Sequence, residues 1–183
     1  MDALKKDKKE ATMSKALLVI DLQNDYFPGG KFPLWNTDAI LKNIEIATQK
    51  AISQDVPVIV IQHIANAARG IAPFFNKGTT GADVHPRILA AAPDAAIVIK
   101  AYADSFFKTT LEETLASLGA TELLVCGMMT QNCVTHTAIS KSAEKYKVSI
   151  LADCCTTVDE MIHNIALNAM STRVPVVPHG EVL

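Results

Sequence analysis

The sequence predicts an α/β fold on a mostly parallel sheet, and three observations carry that reading. Six short apolar runs recur along the chain, at 16–20, 58–61, 96–99, 122–126, 148–151 and 174–177. Stretches with helical spacing separate them, the alternation that parallel strands joined by right-handed crossovers require. The runs are continuous rather than alternating with polar residues, as in strands covered on both faces. At 183 residues, 49% of them hydrophobic, the chain is long enough for one full core and too apolar to be disordered.

Each element has its own signal. Residues 1–12 mix lysines with acids and have no apolar h-region, so they are expected to be a solvated tail rather than a signal peptide. A single domain is expected over 13–183. The first strand, Ala16 to Ile20, runs into Asp21-Leu22-Gln23-Asn24-Asp25-Tyr26-Phe27 and the turn-prone Pro28-Gly29-Gly30. A helix should start near Thr37 with Ile40, Leu41, Ile44, Ala47, Ala51 and Ile52 inward. After the second strand, 63–84 reads as a long irregular segment, a kind that is usually functional or mobile. Pro86 suits the first position of a short helix, and the third strand then delivers Lys100.

Thr110-Leu111-Glu112-Glu113 reads as a capping box, with Leu111, Leu115 and Leu118 buried and Gly119 as the stop. The fourth strand leads into Gly127-Met128-Met129-Thr130-Gln131-Asn132-Cys133-Val134, where a helix should begin. After the fifth, Thr157-Val158-Asp159-Glu160 is expected to cap a helix that turns Met161, Ile162, Ile165 and Ala169 inward. Pro175 cannot donate to a ladder and assigns the last strand to an edge.

Several function classes are excluded. A net charge of -2 gives no reason to expect nucleic acid or an anionic membrane as partner. No apolar run approaches the 18 or so residues of a membrane span. Cysteines at 126, 133, 154 and 155 lack zinc-site spacing, and a reduced, cytoplasmic compartment is the economical expectation. Neither a Gly-x-Gly-x-x-Gly nor a P-loop follows a strand, and no Gly-x-Ser-x-Gly elbow occurs. Asp21 and Asp25 are four apart rather than the Asp-x-Asp of a phosphoaspartyl enzyme. Asp83, His85 and His63 offer metal-ligand types, but Pro86 makes 83–85 read as the entry to a helix. No metal and no cofactor is expected.

The chemistry gathers at strand ends, where open α/β sheets place their ligands. Cys133 falls where a strand gives way to a helix, and a helix N-terminus lowers a thiol pKa. The plainer alternative is a small buried hydrophobe, against which polar Thr130, Gln131 and Asn132 argue. Asp21 and Lys100 end two further strands. A charged residue there is usually solvated or a cap; the three together supply a nucleophile, a proton acceptor and a fixed positive charge.

Val19-Ile20-Asp21-Leu22-Gln23-Asn24-Asp25-Tyr26, Lys100 with Ser105-Phe106, and Gly127 through Val134 together resemble the isochorismatase-like cysteine hydrolases. The resemblance runs from about Met13 into the 150s. It implies a three-layer sandwich whose six-stranded sheet has the Rossmann-like order 3-2-1-4-5-6. It also implies an Asp21–Lys100–Cys133 triad, a cis peptide between Met128 and Met129, and an oxyanion hole from the backbone N–H groups of Met129 and Cys133. The nicotinamidase branch carries an Asp-x-His metal pair after the second strand; here the residues are Gln62-His63-Ile64-Ala65. Isochorismatases proper cleave a vinyl ether and often lack the cysteine, so Cys133 favours hydrolysis of a small amide or ureide. The alternatives are vinyl-ether hydrolysis and a binding protein without turnover. Tyr26, His63, Tyr102 and Phe106 are candidate substrate-binding residues. A homo-oligomer, dimer or tetramer, is expected from the resemblance and from loop residues Trp35, Phe74 and Phe75.

Overall fold

All six apolar runs form strands. In the computed structural model, which describes residues 14–183, these are β1 (Lys15–Ile20), β2 (Val58–His63), β3 (Ala96–Lys100), β4 (Glu122–Met128), β5 (Lys147–Thr156) and β6 (Val176–Val177). The tail expected at 1–12 lies outside the described residues. Every strand pair is parallel, and the order is β3-β2-β1-β4-β5-β6. Ala16 through Ile20 have no exposure, as befits a central strand between β2 and β4. Each large aliphatic side chain so buried contributes about 1.5–3 kcal/mol. The edge assignment of Pro175 holds: β6 is the last strand, and the proline offers only its carbonyl, to Ile150 N at 2.9 Å.

Period-two alternation explains the other edge. Along β3, Ile97 and Ile99 point outward at 49% and 59% exposure, whereas Val98 and Lys100 point in. An edge strand with one uncovered face turns Lys100 into the core while two isoleucines meet solvent. The lysine therefore needs internal partners.

Helices α1 (Thr37–Ser53), α2 (Pro86–Ala91), α3 (Leu111–Ser117), α4 (Thr135–Ala138) and α5 (Glu160–Met170) flank the sheet. Their caps and faces correct the sequence reading in five places. Ile52 on α1 is largely exposed. At α3 the capping box does not form: Thr110 makes no side-chain cap, and Thr109 Oγ1 instead accepts from Leu111 N at 3.2 Å. Leu118 lies past the end of α3 and is partly exposed, although Gly119 does stop the helix with φ +63°. At α5 the cap is Asp159, whose Oδ1 accepts from Ile162 N at 2.8 Å, rather than Thr157.

The fifth correction is the largest. α5 buries His163, Ala166 and Met170 and leaves Met161 and Ile165 at 72% and 62% exposure. The inward histidine is held by Thr130, its Nδ1 lying 2.9 Å from Thr130 Oγ1. That bond lets a polar residue take the buried face and rolls the apolar stripe outward. β5 is also longer than its apolar core, because its register on β4 jumps from Val125↔Ile150 to Gly127↔Cys155. Asp153 lies in the extra length, tied by its backbone carbonyl to Asn43 Nδ2 and by its side chain to His179.

Candidate active site

The carboxyl ends of β1, β3 and β4 converge. Asp21 directly follows β1 with φ +54°, a left-handed conformation that aspartate tolerates better than most residues. Its amide donates to Ile61 O at 3.0 Å. Its carboxylate is buried, with Oδ2 accepting from Lys100 Nζ at 2.8 Å. Among the described residues no hydrogen-bond donor reaches Oδ1. One oxygen of the pair is thus held and the other is free to take a proton.

Lys100 sits at the middle of the cluster. Besides Asp21, its ammonium lies 3.2 Å from Cys133 Sγ, 2.9 Å from His63 Nδ1 and 3.2 Å from the Tyr102 carbonyl. Burial pulls its pKa down, but the charges and hydrogen bonds of Asp21 and Cys133 together outweigh this, and the net direction is upward. Asp21, His63 and Cys133 also offer ligand atoms within 4.8 Å of one another, a spacing that would suit a metal ion. The Lys100 ammonium, hydrogen-bonded to all three, supplies the cation there. Asp83 and His85 do not join them. His85 caps α2 through Arg87 N, and its ring packs on Phe27.

Cys133 lies in a single π-helical turn, Thr130–Val134, that runs into the four-residue α4. The peptide before that turn, Met128–Met129, is cis, as the resemblance implied. The expected lowering of the thiol pKa is reversed: burial pushes it up, the Asp21 charge adds to that, and Lys100 opposes without cancelling. The reason is local. So short a helix carries little macrodipole, whereas the sulfur is almost wholly removed from water. Cys133 Sγ thus stands between a buried carboxylate and an ammonium.

Gln23 and Asp25, both buried within the first motif, hold this arrangement. Gln23 pairs with the backbone of His63 in both directions at 2.8 Å and donates to Ala82 O at 2.7 Å. Asp25 Oδ2 accepts from Phe75 N at 2.8 Å and so anchors the 63–84 segment. Neither role is visible in the sequence, although both residues stand in the quoted motif. Ser105 likewise shows no role in the sequence. It bonds Thr137 through both backbone N and Oγ, and so ties the segment after Lys100 to α4.

The aromatic candidates divide. Tyr26 is buried against Phe74 and Phe75, near enough to Asp21 and Cys133 that their charges, after burial, push its phenol upward. Tyr102 brings its carbonyl to Lys100, while its ring meets Phe107 edge-on at 4.9 Å. Phe106 turns away: it is buried in the core and stacked on Tyr146, so it packs rather than lines the opening. Phe75 is buried, whereas Phe74 packs on Tyr26 and is only partly buried. An apolar cleft of about 530 Å³ lies elsewhere, at the N-terminal ends of β2 and β3 beside Ile52, Val56, Pro93 and Leu118, and has no cysteine, histidine or lysine in its wall.

Comparison with known proteins agrees with this geometry. The isochorismatase domain profile matches residues 15–179. An isochorismatase family protein of Bacillus subtilis, YddQ, is 35% identical over 152 residues, covering 83% of each chain. The nicotinamidase of Escherichia coli is 26% identical over 180 residues, covering 79% of this chain and 84% of its own. The crystal structure of an isochorismatase-like hydrolase from Alkaliphilus metalliredigens superposes with a TM-score of 0.82 at 26% identity, over 92% of this chain and 96% of that one. With sheet order, strand ends and profile in accord, the chain belongs to the isochorismatase family of hydrolases.

Proposed function

We propose that this hydrolase cleaves the C–N bond of a small amide or ureide through an acyl-enzyme on Cys133, with no metal and no cofactor. The observation that carries the reading is the Lys100 ammonium, 2.8 Å from Asp21 and 3.2 Å from Cys133 Sγ in a buried setting. As Sγ attacks the carbonyl carbon, the thiol proton passes to Asp21 and the lysine holds the developing thiolate. The backbone N–H groups of Met129 and Cys133 stabilise the oxyanion. Asp21 then returns the proton to the nitrogen, the C–N bond breaks, and an amine leaves a thioester behind. Water, deprotonated by Asp21, releases the acid and restores the thiol. Tyr26, His63 and Tyr102 wall the substrate.

Intact-mass spectrometry on mixing with a panel of small amides and ureides tests this. A transient acyl adduct is expected on Cys133 and on none of the three other cysteines. Turnover without any adduct, surviving Cys133→Ala, overturns the covalent route in favour of ether-type hydrolysis. Four free, buried cysteines fit a reducing, cytoplasmic setting, and no helix among the described residues is long and apolar enough to cross a membrane.

We also propose that the chain self-associates through α5. Met161, Ile162, Ile165 and Ala169 form a stripe without charge, and beside it lies a cavity of about 250 Å³ bounded by Gln131, Thr135 and Ala166. A two-fold axis across the helix packs such a stripe on its own copy, with one protomer's side chain filling the other's cavity. Light scattering should give a dimer or larger at micromolar concentration, and Ile165→Asp should give a monomer. A parent chain that is monomeric there ends the proposal.

A further inference from the structure

The Lys100 ammonium fixes more than the nucleophile. It carries three hydrogens and faces four acceptors: Asp21 Oδ2, Cys133 Sγ, the Tyr102 carbonyl and His63 Nδ1. An ammonium can only donate, so the 2.9 Å contact requires a lone pair on His63 Nδ1 and places the ring proton on Nε2. Nε2 makes no hydrogen bond to the protein among the described residues. The backbone of His63 is held by the two-way Gln23 clamp, and its neighbour across the sheet is Lys100 itself. The imidazole side chain keeps 22% exposure, whereas those of Asp21 and Lys100 have none. His63 is thus the accessible end of an otherwise sealed polar network.

From this we infer that His63 is a specificity-determining hydrogen-bond donor, its Nε2–H reserved for an acceptor on the substrate. The inference rests on the hydrolase reading for its chemistry and sharpens it to a substrate class. A ring nitrogen of His63 lies within 4.8 Å of Cys133 Sγ. The imidazole therefore borders the carbonyl under attack, and the acceptor belongs to a group close to that carbonyl. Amides flanked by a carboxylate or a second carbonyl meet that requirement, as ureides and oxo-amides do. Simple alkyl amides do not, and they leave the donor desolvated and unpaired. A substrate with an ammonium at that place meets a donor and is rejected.

The test uses oxamate and propionamide, which share a primary amide and differ in carrying a carboxylate or an ethyl group. In the ¹⁵N-histidine-labelled chain, His63 should show the neutral Nε2–H tautomer at pH 7. Oxamate should shift the Nε2 resonance on binding, and propionamide should not. His63→Phe keeps the ring volume and leaves Lys100 with three acceptors for three hydrogens, so the lysine stays satisfied. That variant should raise KM for oxamate by roughly 10-fold or more, in the range expected for one lost hydrogen bond to a charged group, and change kcat little. The rate of Cys133 alkylation against pH should not move. If His63 only positions Lys100, kcat and the alkylation profile move instead. That result overturns the inference, as does an Nδ1–H or doubly protonated ring at pH 7. The nitrogen shift is read whether or not either amide is cleaved, so a failure of the hydrolase reading shows as absent turnover beside an intact shift difference.

Discussion

Cys133→Ala is expected to lower kcat by roughly 10³-fold or more on any amide the parent chain hydrolyses, because among the described residues no second nucleophile lies beside Asp21 and Lys100. The fold should survive, since the change removes one sulfur and leaves the Asp21–Lys100 ion pair in place. Cys126→Ala is the matched control. That thiol is buried in β4 and donates to the Leu18 carbonyl, so its loss costs packing, about 1–2 kcal/mol, and no chemistry. Cys155 is pushed up to about 12 by burial, with the Gly127 backbone opposing, and no lysine stands beside it. Steady-state kinetics and urea melts on both variants check the contrast. A Cys126→Ala chain as inactive as Cys133→Ala would count against the assignment.

The second large effect concerns stability. Asp21 and Lys100 are a buried, hydrogen-bonded ion pair, each side chain without exposure. Removing one member strands the other charge in the interior. Lys100→Met should therefore destabilise the chain by about 3–5 kcal/mol, and Asp21→Asn by a comparable amount. The double variant strands neither charge and should recover most of the loss. Its activity should not return, because the proton acceptor and the cation beside the thiol are both gone; a kcat loss of about 10²–10⁴-fold is expected from the acceptor alone. Single and double variants compared by urea denaturation close the cycle. Additive losses would show that the two charges act independently, contrary to their 2.8 Å contact.

What the sequence made legible follows from what each signal measures. All six continuous apolar runs gave strands, down to the edge position of Pro175, but the burial on both faces that such runs suggest fails at edge strand β3, where Ile97 and Ile99 meet solvent. Strand ends located Asp21, Lys100 and Cys133 because parallel topology collects carboxyl ends at one side. The misplaced features depend on partners far away in sequence. Apolar spacing alone assigned the inner face of α5, yet a histidine took that face because Thr130 answers it. Helix-start chemistry alone suggested an activated thiolate, and burial reversed the sign. Gln23 could be read as a motif letter, but its two bonds to His63 cross 40 positions of chain.

The seam between β1 and β4 acts as a ruler for the whole constellation. Gly127 is paired with Ile20 at φ +121°, and a Cβ built there would fall inside contact distance of the Ile20 carbonyl and amide. Only a residue with no side chain lets the two backbones close to that gap. Asp21 is the next residue on one side of the seam and Met128-Met129 the next on the other, so the width of the gap sets how far the carboxylate stands from the turn that carries the sulfur. The tolerance of the chemistry is thus written into a missing methyl group in the middle of the sheet.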